Sequence, residues 1–349
     1  MSLLMRTLFL TQTSELGPSS RYRVYQLLPW LRKLGVECEV SPGIDDALYR
    51  RLYLDPPASA SRSTAFQAAW RQRRADVRRL NDFDVVVVQK GVFPGLYSGF
   101  ERQIASRKPL VFDFDDAIWL PRVGGSRVLR AFHRETTVKK VLQSAAAVIA
   151  GNHFLAGYAG CLNRNVTVVP SSVPVGAYPP ATNSSLVGWI GSRTTLPYLK
   201  TLKPVFETLG IKPRVIASGE PAQLGFDVEF RQWQLEMEGA ELSQIGIGIA
   251  PLPDTPWEQG KCGVKLLQYM AGGIPVVASP VGVNASIVIH GVNGFLAKDP
   301  EQWTTFLRRL IADPKLRQQT GAAGRETVEK RFNVQRAAES VKAVLRSVM

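Results

Sequence analysis

Short apolar runs alternate with helical segments along most of the chain, and this alternation constrains the fold more than any other feature. The first half contains predicted buried strands at residues 7–10, 37–40, 84–89, 110–114, 147–150 and 166–169. Between them lie predicted helices at residues 21–34, 65–80, 94–106, 127–142 and 153–160. The second half contains predicted strands at residues 186–190, 214–217, 228–230, 246–250 and 275–278, and three helices close the chain. The pattern predicts an α/β protein with parallel sheets and crossover helices.

The chain of 349 residues is long for one domain and sufficient for two. Residues 170–185 are rich in Pro, Ser and Ala and show neither helical nor strand periodicity, so they form the best linker candidate. We therefore predict an N-terminal domain over residues 1–175 and a C-terminal domain over residues 176–333.

Composition narrows the class of protein. Hydrophobic residues make up 45% of the chain, which is typical of globular proteins. No apolar run reaches the roughly 18 residues of a membrane-spanning helix. The three cysteines and three histidines are scattered, so we predict neither a disulfide framework nor a metal site, and the cytoplasm as the location.

The net charge of +14 is unevenly distributed. The first 180 residues contain 24 Lys and Arg and 14 Asp and Glu, so they carry a net charge of +10. The densest patch follows a helical pattern and includes Arg71, Arg73, Arg74, Arg78 and Arg79. An ordinary solvated helix face accounts for any single one of these arginines. Together they also suit an anionic membrane surface, which predicts a peripheral position on the inner face of the membrane. Nucleic acid is not expected, because no nucleic-acid-binding signature accompanies the charge.

The most informative motif lies at residues 251–296. A loop ending in Gly260-Lys261-Cys262-Gly263 runs into a short helical segment at residues 264–271, which two glycines end. A loop that joins a strand to a helix N-terminus presents free N–H groups to an anion such as a phosphate. An ordinary αβ unit of a parallel sheet, with Gly-Gly as its C-cap, is the alternative interpretation.

This motif resembles the donor-binding region of retaining glycosyltransferases of family 4. The match consists of Gln268-Tyr269-Met270-Ala271-Gly272-Gly273, Pro275-Val276-Val277 and a later turn, Gly291-Val292-Asn293-Gly294-Phe295-Leu296. The resemblance implies the GT-B fold, in which two Rossmann-like, doubly wound domains face each other across a cleft. It also implies that residues 334–349 form a final helix packed back on the N-terminal domain.

The resemblance further implies a reaction that moves a sugar from a nucleotide diphosphate donor to a glycan or lipid-linked acceptor. Cell-surface polysaccharide synthesis is the expected setting, and no metal or other cofactor is expected. The alternatives are a non-catalytic GT-B protein that binds nucleotide-sugar or glycan, a nucleotide-sugar epimerase of the same fold, and a nucleic-acid-binding protein suggested only by charge.

Two segments of the N-terminal half are candidate sites under this resemblance. Gly17 lies in the loop that approaches the donor diphosphate in the family, and Arg21 and Arg23 are candidates for phosphate or acceptor. A strand ends in Asp113-Phe114-Asp115-Asp116, where the family often has a histidine that touches the transferred sugar. Asp115 is closest to that position and is a catalytic candidate. Asp113 and Asp116 are assigned to the acceptor side, with capping of the next segment as the simpler role for Asp116.

The donor side is assigned to the second half. Gly191 and Ser192 precede Arg193, which is offset by two residues from the usual arginine of the family. Pro197 or Tyr198 stands where a lysine is usual, so Lys261 or Lys265 would replace that lysine. These cations would stabilise charge on the leaving diphosphate.

Both family glutamates are missing. Gly260 occupies the first position, with Glu258 as the nearest carboxylate, and Gln268 occupies the second. An amide still hydrogen-bonds a diol, although without charge. The remaining donor-binding candidates are Cys262, Gly263 and Val264.

Overall fold

The computed structural model describes residues 5–55, 61–93, 99–120, 134–220 and 224–349. The chain divides into two compact units. Unit 1 consists of Met1–Ser171, Gln259–Cys262 and Val334–Met349. Unit 2 consists of Ser172–Glu258 and Gly263–Asn333. A four-residue segment that lies far along the chain, Gln259–Cys262, therefore belongs to unit 1.

Each unit is built on a six-stranded parallel sheet, as the alternating pattern predicts. The strands of unit 1 are β1 Met5–Thr11, β2 Val36–Pro42, β3 Val85–Gln89, β4 Leu110–Phe114, β5 Ala147–Ala150 and β6 Val166–Val168. The strands of unit 2 are β7 Val187–Gly191, β8 Arg214–Ala217, β9 Glu229–Gln232, β10 Ile247–Ala250, β11 Val276–Ala278 and β12 Phe295–Leu296. The spatial orders are β2-β1-β3-β4-β5-β6 and β12-β11-β10-β7-β8-β9. These two sheets confirm the predicted pair of Rossmann-like domains.

Helices connect the strands. The first seven are α1 Pro18–Arg23, α2 Leu28–Lys33, α3 Asp46–Tyr49, α4 Arg62–Arg78, α5 Gly99–Ala105, α6 Arg134–Ser144 and α7 His153–Gly160. The next eight are α8 Lys203–Leu209, α9 Glu238–Ser243, α10 Pro256–Gln259, α11 Val264–Ala271, α12 Asn284–Ile287, α13 Pro300–Ala312, α14 Pro314–Arg331 and α15 Val334–Ser347. Short 3₁₀ or π turns occupy Tyr25–Leu27, Arg50–Leu54, Leu80–Asp82, Val175–Ala177 and Leu196–Leu202. Parts of two predicted helices, residues 94–98 and 127–133, lie outside the described residues.

The first predicted helix is wrong in its continuity. The sequence pattern predicts one helix over residues 21–34, but the structure has α1, a 3₁₀ turn and α2 in its place. Pro29 lies in the first turn of α2, where its missing N–H costs nothing, whereas inside a longer helix it would remove a hydrogen bond. The break directs α1 to the carboxyl end of β1 and leaves α2 beside the sheet.

The last helix belongs to the core of unit 1. Val341 and Leu345 of α15 share a buried cluster with Leu28 and Leu31 of α2. Between β6 and β7 the chain forms a β-bridge from Val173 to Asn333 and the 3₁₀ turn at Val175–Ala177. None of the helices in the described part of the chain is both long and apolar enough to cross a membrane.

The predicted basic surface requires one correction, because Arg73 is not on the surface. Arg73 lies on the inner face of α4, and 1% of it is exposed. Its guanidinium pairs with Asp76 at 2.8 Å and donates to the carbonyl oxygens of Thr11 and Ser41. The helical spacing explains the position, since Ala69 and Arg73 are one turn apart on the same face. Arg71, Arg74, Arg78 and Arg79 are exposed.

We expect Arg73→Met to lower the free energy of unfolding of unit 1 by about 3 kcal/mol, since it leaves the Asp76 carboxylate buried without its cation. Arg74→Met, one residue along the same helix, is the matched control and should leave stability unchanged because Arg74 is exposed. Urea unfolding followed by circular dichroism measures both. Equal transitions for the two variants would contradict the structural role of Arg73.

Candidate functional site

The strand orders indicate where each unit would bind a ligand. In an open parallel sheet, ligands bind beyond the carboxyl ends of two adjacent strands whose connections leave on opposite sides. In unit 1 these strands are β1 and β3, and in unit 2 they are β7 and β10. The candidate residues of each unit are therefore expected at one edge of its sheet.

In unit 1 the innermost contact at this edge is a buried ion pair. Arg23 of α1 donates to both carboxylate oxygens of Asp113, at 2.9 and 2.6 Å, and to the Val169 carbonyl oxygen at 2.7 Å. Burial raises the pKa of Asp113, and the Arg23 guanidinium opposes that rise. Because both side chains are fully engaged, they act as a brace between α1 and β4.

A second cluster lies directly beyond β4. The Lys90 ammonium contacts Asp116, lies 3.3 Å from Asp115 Oδ1 and donates to Ser19 Oγ at 3.1 Å. The Lys261 ammonium donates to Asp116 Oδ1 at 2.8 Å. Burial would raise the pKa of Asp116, but the charges of Lys261 and Lys90 together hold it well below its usual range. Asp116 is therefore a permanently ionised anchor.

Asp115 differs from its neighbours. Its Oδ1 is buried and accepts no hydrogen bond within the described part of the chain, although the Lys90 ammonium is at ion-pair distance. Buried carboxylate oxygens normally accept hydrogen bonds, so an unfilled acceptor here calls for a donor. A substrate hydroxyl is such a donor.

The segment Gln259–Cys262 is held on unit 1 by several hydrogen bonds. Asn152 donates to the carbonyl oxygens of Gln259 and Lys261 at 3.3 and 3.1 Å, and Cys262 Sγ donates to the Asp115 carbonyl oxygen at 3.3 Å. Two residues predicted to bind the donor, Lys261 and Cys262, thus contact the acidic end of β4. Burial raises the pKa of the Cys262 thiol, which keeps it protonated.

Packing explains why Gly260 stands at the position of the first family glutamate. A Cβ atom added to Gly260 would lie 2.7 Å from the backbone nitrogen of Ala117. No side chain fits there without moving this backbone, so the glutamate is excluded by the way the segment lies on unit 1.

Two candidates lie nearer β1. Gly17 is the N-cap of α1. Arg21 is buried, its Nη2 donates to the Tyr22 hydroxyl at 3.2 Å, and its guanidinium lies over the Tyr22 ring at 4.8 Å. Arg21 and Arg23 thus make different contacts, although both belong to α1.

In unit 2, a tryptophan joins two of the predicted donor residues. The Lys265 ammonium, in the first turn of α11, lies 3.9 Å from the centre of the buried Trp189 ring. The same ring lies so close to Gly191 that an added Cβ would be 2.5 Å from it. Gly191, Trp189 and Lys265 therefore form one cluster where β7 ends and α11 begins.

Arg193 and Ser192 follow directly on β7. The backbone N–H of Arg193 donates to Ser218 Oγ at 3.4 Å, which places it against the carboxyl end of β8. Ser192 Oγ is 2.9 Å from Thr194 Oγ1. The side chain of Arg193 is exposed, and its cation is therefore accessible to a ligand.

The remaining donor candidates lie around α10 and α11. Glu258 is buried, and its carboxylate accepts hydrogen bonds from the hydroxyls of Tyr198 and Thr255. Tyr198, at one of the two positions where the resemblance implies a lysine, thus contacts Glu258. Gly263 is the N-cap of α11, Val264 begins the helix, and Gln268 is buried within it.

Sequence reasoning missed Lys90, Trp189 and Asn152. Lys90 was detectable, because a lysine directly after the buried run Val85–Gln89 is a charge at the end of a core strand. Trp189 was assigned to its strand only, and nothing in the sequence pairs it with Lys265. The contacts of Asn152 join it to a segment more than 100 residues away, which local pattern does not reveal.

Metal binding is not indicated by the clustering of side chains. In the part of the chain that the structure describes, no group of three His, Cys, Asp or Glu residues could hold a metal ion. The acidic residues at the end of β4 are also in contact with Arg23, Lys90 and Lys261. The independence of this protein from metals stays a prediction.

Part of the chain matches a known protein family. Residues 208–313 match the family model described as Glycosyl transferases group 1. Over 64 residues the chain is 39% identical to a D-inositol 3-phosphate glycosyltransferase from Thermobifida fusca (strain YX), a match that covers 18% of this chain and 15% of the relative. The chain spans about a fifth or less of the length of the curated relatives that it matches, 21% and 15%.

Solved structures match over nearly the whole chain. Sucrose-phosphate synthase from Thermosynechococcus elongatus has a TM-score of 0.73 at 16% identity, covering 99% of both chains. The Anabaena protein Alr3699/HepE, solved in complex with UDP and glucose, has a TM-score of 0.72 at 16% identity, covering 98% of this chain and all of the other. The fold is therefore GT-B, and the family match supports a GT-B glycosyltransferase.

We expect Asp116→Asn to lower the free energy of unfolding by about 3 kcal/mol at pH 7, because two ammonium groups lose their shared counter-charge. The folded-state pKa of Asp116 is lowered, so its contribution is fully present above the unfolded pKa of about 4 and declines as pH falls below it. The difference from wild type should therefore shrink from about pH 4 downwards.

Urea unfolding between pH 3 and pH 7 measures this difference, with Asp82→Asn as the control because Asp82 is exposed. A penalty for Asp116→Asn that stays constant over this range would contradict the proposed ion pairs.

Proposed function

We propose that this chain is a retaining glycosyltransferase that takes a sugar from a nucleoside diphosphate donor and transfers it to a glycan or lipid-linked acceptor. The observation that carries the proposal is the cluster of Gly191, Trp189 and Lys265 at the sheet edge where unit 2 is expected to bind a ligand. The structural neighbour solved with UDP and glucose supports a nucleotide-sugar as the ligand.

The donor site would consist of the ends of β7 and β10 and the start of α11. Lys265 and the first N–H groups of α11, at Gly263 and Val264, supply positive charge to a diphosphate. Arg193 supplies a second, accessible cation. Gly191 and Ser192 would bring backbone close to the ligand, and Gln268 would hold hydroxyls of the ribose.

Lys265 is a better replacement for the missing family lysine than Lys261. Lys265 lies in unit 2 at the start of α11, against the Trp189 ring, whereas Lys261 belongs to unit 1, where its ammonium contacts Asp116. Charge develops on the diphosphate as the sugar takes on oxocarbenium character, so a fixed cation beside it lowers the barrier.

The acceptor side is assigned to the end of β4. Asp115 Oδ1, which accepts no hydrogen bond within the described residues, would receive one from the acceptor hydroxyl. In a front-face substitution, the acceptor oxygen bonds to the anomeric carbon on the side from which the diphosphate leaves. The hydroxyl proton passes to the leaving diphosphate, and the anomeric configuration is retained. No metal or other cofactor takes part in this scheme.

A non-catalytic GT-B protein that binds nucleotide-sugar or glycan is the second candidate. The observation that favours it is the loss of both family glutamates, since Gly260 has no room for a side chain and Gln268 carries no charge. Such a protein would bind the donor without turnover, and donor turnover therefore separates the two candidates.

We also propose that helix α4 contacts an anionic membrane surface, which suits a lipid-linked acceptor and cell-surface polysaccharide synthesis. Arg71, Arg74 and Arg78 are exposed on this helix, together with Phe66 and Trp70. The one acidic residue of α4, Asp76, is buried against Arg73, so α4 itself adds no carboxylate to its exposed face. Arg79, which follows α4, pairs with Glu39. Aromatic rings among basic residues are typical of interfacial helices.

We expect one nucleoside diphosphate among UDP, GDP, ADP and TDP to raise the thermal unfolding midpoint. Lys265→Ala and Arg193→Ala should each weaken its binding about tenfold or more, because each removes a cation from the diphosphate. Lys212→Ala, an exposed lysine of unit 2, is the control. Calorimetric titration gives the affinities, and equal affinities in all four proteins would exclude this donor site.

We expect the full chain to sediment with vesicles that contain phosphatidylglycerol but not with vesicles of phosphatidylcholine alone. Replacing Arg71, Arg74 and Arg78 together by alanine should reduce binding on the order of 100-fold, at about 1 kcal/mol for each arginine. The matched control replaces Lys200, Lys212 and Lys298, which are exposed lysines of unit 2. Equal losses in the two triple variants, or binding to duplex DNA but not to vesicles, would contradict the proposal.

A further inference from the structure

Lys90 has an uncommon backbone conformation. Among the described residues it is the one non-glycine residue with a positive φ, at 64°. Its N–H donates to the Asp113 carbonyl oxygen at 2.7 Å, and its carbonyl oxygen accepts from Gln12 Nε2 at 2.9 Å. The backbone is thus fixed by hydrogen bonds to two neighbouring segments. A side chain in this region strains the backbone, and such residues cluster at functional sites.

Glycine would adopt this conformation without strain, so the lysine side chain at this position needs an explanation. The turn directs the side chain to the end of β4, where the ammonium contacts Asp115, Asp116 and Ser19. Only 8% of Lys90 is exposed, and burying an ammonium is costly unless carboxylates surround it. The strained turn and the burial of the ammonium therefore both bring Lys90 into contact with Asp115 and Asp116.

The two carboxylates that Lys90 contacts are not equivalent. Asp116 also has Lys261, so it keeps a cation even without Lys90. For Asp115, the Lys90 ammonium is the ion-pair partner that the described residues show. Its other charged or titratable neighbours include Asp113, Arg23, Asp116 and the Cys262 thiol. Asp115 lies between Asp113 and Asp116 in the sequence. Without Lys90, less positive charge would oppose the repulsion among these three carboxylates.

We infer that Lys90 is a positioning residue of the acceptor-side site, where its ammonium holds the Asp115 carboxylate in place at the end of β4 to accept a hydrogen bond from the acceptor hydroxyl. The inference rests on the proposed glycosyltransferase function. Lys90 itself does not touch the reacting atoms; it acts through Asp115.

Three variants separate charge from backbone strain. Lys90→Met removes the charge and keeps a Cβ in the strained conformation. Lys90→Gly removes the same charge and relieves the strain. Lys90→Arg keeps both the charge and the strain. The readout is kcat and the acceptor's KM for transfer at pH 7, and nucleoside diphosphate affinity is measured alongside as a check on the donor site of unit 2.

We expect kcat/KM at pH 7 to fall about 100-fold in both Lys90→Met and Lys90→Gly, because the Asp115 carboxylate is no longer held in place to accept from the acceptor hydroxyl. The nucleoside diphosphate affinity should keep its wild-type value in both, because Lys90 lies in unit 1. Lys90→Arg should restore most of the rate, because it keeps a cation beside Asp115.

Two results would overturn the inference while leaving the proposed function intact. One is a wild-type kcat/KM in Lys90→Met. The other is a wild-type kcat/KM in Lys90→Gly, which would attribute any loss in Lys90→Met to the backbone. Wild-type protein that binds a nucleotide-sugar but turns over no donor would instead overturn the proposed function and, with it, this inference. The donor affinity and the wild-type rate together distinguish these cases.

Discussion

The carboxylates of Asp113, Asp115 and Asp116 lie at the end of a buried strand, where burying their charge is unfavourable. Other segments of unit 1 supply the cations that offset this cost. Each acidic residue contacts a cation from another part of the chain: Arg23 from α1, Lys90 from the turn after β3, and Lys261 from the segment Gln259–Cys262. Because a buried carboxylate without a partner would be protonated or destabilising, these contacts fix where the three segments lie. The same contacts leave one oxygen, Asp115 Oδ1, without a hydrogen bond among the described residues.

The charged side chains at the sheet edge of unit 2 are arranged differently. At the edge of its sheet, Lys265 and Arg193 bring positive charge to the ends of the parallel strands, and Glu258 accepts hydrogen bonds from two hydroxyls. This arrangement suits an anionic ligand, in keeping with the proposed nucleoside diphosphate. Under the proposed function, a carboxylate of unit 1 would accept from the acceptor hydroxyl and cations of unit 2 would bind the donor diphosphate.

Much of the fold could be predicted from the sequence, since buried parallel strands are short, continuous apolar runs such as residues 110–114 and 147–150. The predictions failed where tertiary contacts override local pattern. Arg73 fits the charge pattern of a surface helix but lies on the inner face of that helix. Pro29 begins a second helix where the sequence pattern predicts one continuous helix. At the site, residue types were predictable but pairings were not, because Lys90 and Lys261 reach Asp116 from 26 and 145 residues away.

The central claim is that the chain turns over a nucleotide-sugar with retention of configuration, despite the absence of both family glutamates. A ¹H NMR time course of the full chain with its preferred donor and a candidate acceptor tests this directly, because the anomeric proton reports the configuration of the first product formed. The account predicts release of the nucleoside diphosphate together with a product that has the anomeric configuration of the donor. A first product of the opposite configuration would contradict the front-face mechanism, and a donor that is bound but never consumed would show that the protein is not an enzyme.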